Sequence, residues 1–293
     1  MTTLIQLIIA GIAIGSVYGL VALGFVTIYR TCGVVNFAQG EFVMLGGMMS
    51  YWLWTKFNLP YALAAVLTLI AVCVVGVGIY QLVVSPLRNG PPVMMVLGTL
   101  AVAALIEALA LLWFEGWPIY GPAFTPSIEI INVLGVGLYS QNLWVIAMVA
   151  VVVTALQFLN NRTFLGKKMT ATATDSLAAG LVGVHPGSMM RLAFLISAVI
   201  GGIGGIFISP VIPMTYIIGV GLALKGFVAA VLGGWGTASG AVVGGVALGV
   251  IEMLVGGYLP SGFQDAIAFI LLILVLALRP RGLLGKSLIV EES

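Results

Sequence analysis

The chain has 293 residues, of which 61% are hydrophobic and 7% charged, and its formal net charge is +2. Soluble domains carry roughly 25% charged residues, so a water-soluble fold of this length could not cover its surface. The small net charge gives no reason to propose nucleic acid as a partner.

A mean hydropathy of +1.22 places most of the chain inside a bilayer. The two cysteines, Cys32 and Cys73, stand in or beside apolar segments and form no CxxC pattern, so they read as small packing residues. A single histidine, His185, excludes a His cluster within this chain, and no metal site is expected. The N-terminus runs from Met1 into a long apolar stretch without a positive leader segment, and reads as a retained first span.

A bilayer core about 30 Å thick needs about 20 helical residues. In chain order the expected spans are Leu4–Tyr29, Val34–Trp54, Tyr61–Val84, Val93–Trp113, Leu143–Leu159, Leu192–Val211, Gly219–Trp235, Ala241–Leu259 and Phe263–Leu278. The fold class is therefore an all-α polytopic membrane protein with about eight to nine transmembrane helices, some of them broken. Two spans carry the expected breaks. One opens on the polar run from Asn36 through Gln39 and Gly40 to Glu41, and the other closes on Gly233, Gly234, Trp235 and Gly236. Non-helical backbone at membrane depth is tolerated where protein buries it or a cavity meets it.

Basic residues set the orientation. With the N-terminus outside, Arg30, Arg88, Arg162, Lys167, Lys168, Arg191, Arg279, Arg281 and Lys286 all fall on the cytoplasmic side, nine of the eleven in the chain. Lys56 falls outside and Lys225 lies within a span. The outer segment from Phe114 to Gln141 contains Glu115 and Glu129 but no Lys or Arg, and is expected to fold back as a short interfacial helix or lid.

Glycine is abundant at 39 residues, and many recur at four-residue spacing: Gly11, Gly15 and Gly19; Gly201 and Gly205; Gly240 and Gly244; Gly245 and Gly249. In lipid, small residues let helix backbones approach closely, so Gly-rich packing of a tight bundle follows.

Four acidic or basic side chains stand inside apolar segments: Glu41, Glu107, Lys225 and Glu252. A charge in hydrocarbon is costly, so each is expected to face protein or water. One reading makes them buried ion pairs between helices. The other places Asn36, Gln39, Glu41, Lys225 and Glu252 along a polar translocation path. Glu107 is recommended by its burial alone and reads as structural.

Residues 160–191 form the longest hydrophilic inner segment. Met169–Leu181 is rich in Ala and Leu and is expected to be one short helix, ended by Gly183 and Pro186. Met169, Ala173, Leu177 and Leu181 recur every four residues and predict one apolar edge. Such an element either connects two spans or docks on a cytosolic partner.

At these residues the chain resembles the permeases of bacterial ABC importers for branched-chain amino acids, of the LivH type, over nearly its whole length. The stretch GVVNFAQGEFVMLG from Gly33 to Gly46 is similar to the family's GVINFAHGE signature. Leu165 to Met169, continuing to Gly183, resembles its coupling loop. Gly226 to Gly236, followed by Gly240 to Gly245 and Glu252, and the ending from Leu278 to Gly285, resemble further family segments. Two departures stand out. Gln39 replaces the usual His, and Thr170 and Ser176 stand where Arg is common.

The resemblance implies a single transmembrane permease domain over 1–293 in a bacterial inner membrane, with 160–191 as a cytoplasmic coupling loop. It implies a second homologous permease, two cytosolic ATPases, a periplasmic or lipid-anchored solute-binding protein, and surrounding membrane lipid as partners. Gly166, Met169, Asp175, Ala179, Leu181 and Gly183 would carry the coupling. This chain needs no cofactor and is not an enzyme on this reading. It has no GxxxxGK[ST] phosphate loop, so ATP and Mg would be bound by the partner ATPase. Leucine, isoleucine and valine are the default solutes, with urea, short amides or other amino acids as alternatives. Two rivals need no such partners: an ion-coupled secondary transporter using its intramembrane carboxylates, and a structural subunit that never meets solute.

Overall fold

The computed structural model describes residues 2–88, 90–114, 116–125, 130–133, 136–260, 262–279 and 282–284. Glu115, Glu129, Arg281 and Lys286, used above for orientation and for the outer segment, lie outside the described residues.

Each expected span falls on a helix. Helix α1 is Thr2–Cys32, α2 is Gln39–Lys56, and α3 is Tyr61–Ile79, extended by a π turn at Tyr80–Val84 into the short α4, Ser85–Leu87. Next come α5 (Pro92–Trp113), the strands β1 (Ile130–Val133) and β2 (Val136–Tyr139), and α6 (Ser140–Arg162). The remainder is α7 (Phe164–Thr174), α8 (Ser176–Leu181), α9 (Pro186–Ile208), α10 (Ile218–Gly233), α11 (Ala238–Tyr258) and α12 (Phe263–Leu278). Among the described residues, six helices are long and apolar enough to cross a membrane unaided, and the apolar stretches Ile218–Gly233 and Ala266–Leu278 are shorter. The π turn has a local cause. Pro86 has no N–H to give the carbonyl one turn back, so the helix widens there.

The outer segment departs from expectation. Its described part holds an antiparallel hairpin, with Ile130 opposite Tyr139 and Val133 opposite Val136, in place of the helix that was one of the two expected forms, the other being a lid. The β-branched residues Ile130, Ile131 and Val133 favour strand over helix. Ile119 also pairs with Met214 through two backbone hydrogen bonds of 3.0 and 2.8 Å. That bridge ties the outer segment to the stretch between α9 and α10.

The four-residue glycine pattern becomes a packing seam. A Cβ on Gly11 would strike the backbone of Gly249 and Val250, one on Gly15 that of Gly245 and Val246, and one on Gly249 that of Gly15. The α1 and α11 backbones therefore lie in direct contact and run antiparallel. Gly205 meets Val43 and Gly47 on α2, and Gly244 meets Ala229 and Gly233 on α10. Helix α1 sits at the centre, with Val21, Leu23, Phe25 and Ile28 all buried.

Helices α2 and α10 start inside the bundle. Gly33, at φ +68°, closes α1, its amide donating 2.8 Å to the carbonyl of Tyr29. The chain then climbs back before α2 begins at Gln39. Gln39 abuts Gly24, eight residues before the end of α1, and Ser197, eleven residues into α9. Eight residues rise about 12 Å, so α2 begins near mid-depth. On the other side, Ser209 to Ile217 folds back from the end of α9, and α10 begins with Gly219 beside Gly40. Its 16 residues rise only about 24 Å.

Helix α10 still completes its return. Gly282 packs on Gly234, and the amides of Leu283 and Leu284 donate to the carbonyls of Leu232 and Gly233 at 2.8 and 2.9 Å. The C-terminal Arg279 thus reaches the end of the bundle where α1 finishes. Arg30, Arg88 and Arg162 at helix ends, Lys167 and Lys168 in α7, and Arg191 near the start of α9 belong to that same face, and Lys56 ends α2 at the opposite one.

Candidate functional site

The five candidate path residues divide into two groups on different flanks of α10. Asn36, Gln39 and Glu41 form the first, at the start of α2. Asn36 makes the turn: its Oδ1 accepts from the Ala38 amide at 3.2 Å and its carbonyl accepts from the Gln39 amide at 3.1 Å. This side-chain turn lets α2 start without a neighbouring helix to cap it. Phe37 is pinned beside it, its amide donating 3.2 Å to Thr99 Oγ1 and its ring packing on Phe25 and Phe227.

Gln39 reaches across to α9. Its Nε2 donates to the Ser197 carbonyl at 3.3 Å, and Ser197 Oγ donates back to its Oε1 at 2.5 Å. Both residues are fully buried, so the pair satisfies polar atoms that would otherwise be stranded.

Glu41 is also fully buried, yet neither carboxylate oxygen has a hydrogen-bond partner. Its carboxylate lies against Gly219, where any Cβ would overlap it. Compensation comes from the backbone. Glu41 sits in the first turn of α2 and beside the first turn of α10, and the partial positive charge of both helix N-termini is directed at it. Glu107 is half-buried on α5 and is not ion-paired among the described residues.

The second group is Lys225 and Glu252. Lys225 is six residues past Gly219, which puts it on a different flank of α10. Its Nζ stands 2.6 Å from Glu252 Oε1 on α11 and 5.6 Å from the ring centroid of Tyr18 on α1. The ion-pair expectation therefore holds for these two charges, while Glu41 is matched by helix ends. Glu252 Oε2 is buried and has no hydrogen-bond partner.

Lys225 and Glu252 line a cleft of about 640 Å³ between α1, the stretch after α9, α10, α11 and α12. Its walls are mostly apolar, with Tyr18, Thr215 and Gln264 as the other polar residues. Asn36, Gln39 and Glu41 do not border this cleft. Tyr18, Ser197 and Gln264 were missed by reading the sequence for charge alone. Each is an uncharged polar residue in an apolar span, which is the signal that could have found them.

The third feature is at the basic face. The single helix expected over Met169–Leu181 is two helices. Asp175 adopts extended backbone at φ −154° and caps α8, its Oδ1 accepting from the amides of Leu177 and Ala178 at 2.8 and 3.0 Å. Before it, α7 is capped by Thr163, which accepts from Gly166 at 3.2 Å. Gly166 packs on Leu159 and Asn160 too closely for a side chain. Gly183, at φ +83°, ends α8 as the Val184 amide donates 3.0 Å to the Ala179 carbonyl.

The break also divides the expected apolar edge. Met169 and Ala179 are buried, whereas Leu177 is 82% and Leu181 91% exposed. Phe164 and Val182 are also strongly exposed, so four large apolar side chains of α7, α8 and the turn after it face outward at the basic end.

A helical bundle with two helices that start inside it, a charged cleft and a projecting basic-face element defines a multi-pass membrane permease. The family model described as "Branched-chain amino acid transport system / permease component" matches residues 7–276, and the chain belongs to that family. The chain is 28% identical to the high-affinity branched-chain amino acid transport system permease protein LivH of Salmonella typhimurium, over 96% of each chain. It is 27% identical to BraD of Pseudomonas aeruginosa, named likewise, again over 96% of each. The autoinducer 2 import system permease protein LsrC of Yersinia enterocolitica is 30% identical over 69% of this chain and 56% of its own. Among solved structures, PsaBC from Streptococcus pneumoniae in complex with Fab shares the fold, with a TM-score of 0.51, 11% identity, and 96% and 93% of the two chains covered.

Proposed function

We propose that this chain is a membrane permease subunit of a binding-protein-dependent ABC importer that moves branched-chain amino acids inward. The observation that carries the reading is the family match over residues 7–276, reinforced by end-to-end similarity to LivH and BraD. The basic face is cytoplasmic, which puts the N-terminus outside and the C-terminus inside an inner membrane. A second homologous permease completes the conduit, and a solute-binding protein delivers to its outer end.

Two cytosolic ATPases, which bind the ATP and Mg, dock on the surface of Phe164, Leu177, Leu181 and Val182. Met169 and Ala179 root that surface in the bundle, while Gly166, Asp175 and Gly183 fix its shape. ATP binding then favours one of two permease conformations through the ATPase's different affinity for each. The cleft of Lys225 and Glu252 is the solute-facing part of the path. Asn36, Gln39 and Glu41 hold the start of α2 against α10 and α9, so they act on the path by positioning it.

The test is reconstitution. ATP-dependent uptake of L-leucine by the assembled importer, with an ATPase co-isolating with this chain, supports the reading. Uptake driven by an ion gradient without ATP supports an ion-coupled secondary transporter. Urea, short amides and other amino acids are the comparison set of solutes, and the LsrC relative is itself named for a different solute.

A further inference from the structure

The cleft has a composition that goes beyond a generic polar path. Among the described residues it holds one cation, one anion, an amide, a phenol and the Thr215 hydroxyl, and otherwise apolar walls such as Ile208, Ile212 and Leu222. The cation and anion are already bonded to each other at 2.6 Å. Glu252 is only 7% exposed, and its Oε2 is a buried acceptor with no donor. An orphan carboxylate oxygen is costly to bury, and a ligand ammonium would satisfy it. Lys225 offers the complementary group for a carboxylate.

We propose that the Lys225–Glu252 pair is an internal stand-in for a zwitterionic α-amino acid, and that the solute crosses by exchanging ions with it. The solute ammonium takes Glu252 and its carboxylate takes Lys225, while an apolar side chain lies on the Ile208, Ile212 and Leu222 wall. Three features fit. The cleft volume of about 640 Å³ lies in the range of small-molecule sites, roughly 300–1,000 Å³. The charges on each side of the exchange are equal, so no net charge is left bare when the solute enters or leaves. Re-formation of the internal pair competes with the solute, which keeps affinity low and favours release. The permease thereby selects for paired ammonium and carboxylate groups and against uncharged solutes. This inference rests on the proposed importer role.

The experiment measures ATP-driven uptake of radiolabelled L-leucine by the complete importer in vesicles, with membrane abundance of each variant measured alongside. The double variant Lys225→Met/Glu252→Leu replaces a buried pair by apolar groups, an exchange that folds often tolerate. The expected result is normal abundance and a loss of uptake of roughly tenfold or more. Uptake at the unmodified rate by this variant overturns the exchange while leaving the importer role intact. If that variant does not reach the membrane, Glu252→Gln decides. It keeps a hydrogen bond to Lys225 but offers no charge to an ammonium, and wild-type uptake by it overturns the inference equally. An unmodified importer that takes up no L-leucine overturns the functional reading and the exchange together.

Discussion

The Glu41 carboxylate lies against the Cα of Gly219, at the point where the N-termini of α2 and α10 meet. Helix α2 runs from there towards the Lys56 end of the bundle and α10 runs towards the basic face. Glu41 has no hydrogen-bond partner, so its burial depends on the two helix ends and on the absence of a side chain at position 219. Gly219→Ala forces the carboxylate or the α10 start to move. Overpacking of this kind typically costs about 1–3 kcal/mol. The melting temperature of the detergent-purified chain should fall for Gly219→Ala. Glu41→Ala should recover most of that fall in the double variant, because it vacates the space. Strict additivity of the two substitutions would show that the contact is not shared.

The Gln39–Ser197 pair gives a sharper test of polar burial. Ser197→Ala strands Gln39 Oε1 in the bundle, and a stranded buried acceptor costs about 1–3 kcal/mol. Gln39→Leu/Ser197→Ala removes both partners and should be less destabilising than Ser197→Ala alone. Thermal unfolding of Gln39→Leu, Ser197→Ala and the double variant in one detergent reads the order directly. A double variant weaker than both single ones would refute the pairing.

How far the sequence reached is clear from these residues. Span positions were legible because a run of about 20 apolar residues has few other fates. The glycine seam was legible because four-residue spacing places small residues on one helix face, and Gly11, Gly15, Gly245 and Gly249 do interlock. The pairing of Lys225 with Glu252 was foreseen only as one of two readings, since two opposite charges 27 residues apart need a fold to meet. The matching of Glu41 by helix ends was not legible at all. It depends on where α10 begins, and that start is set by the fold-back from Ser209 to Ile217, which has no periodic pattern. The break at Asp175 was missed for a different reason. Ala and Leu content argued for continuity, while an Asp followed by two free amides is a cap that can start a new helix anywhere.

The α1–α11 seam predicts a large difference between glycines of similar sequence context. Gly249→Ala puts a methyl into the backbone of Gly15 and Gly11, with no flexible side chain to yield. It should destabilise by about 1–3 kcal/mol or more. Gly78→Ala on α3 meets nothing within 4 Å and gains helix propensity of about 1 kcal/mol, so it should be neutral or stabilising. The melting temperature should fall for Gly249→Ala and stay level or rise for Gly78→Ala. Equal shifts would mean that the seam does not carry the packing.

The basic-face surface separates shape from docking. Asp175→Ala removes the cap on α8, at about 0.5–2 kcal/mol, and Gly183→Ala forces a side chain into positive φ, at about 1–2 kcal/mol. Both act on local shape, so amide exchange at Leu177 and Ala178 should accelerate while the bundle stays folded. ATP hydrolysis by the importer should then continue with reduced solute uptake. Leu181→Asp acts differently. Leu181 is 91% exposed, so the change leaves the chain's own stability nearly untouched. It places a charge at an apolar docking surface, and losing such an anchor costs about 1–2 kcal/mol, roughly five- to thirtyfold in affinity. Co-purification of the ATPase with this variant should drop accordingly at unchanged membrane abundance. Full recovery of the ATPase with Leu181→Asp, and equally with Leu177→Asp, would place the motor's footprint elsewhere on the basic face.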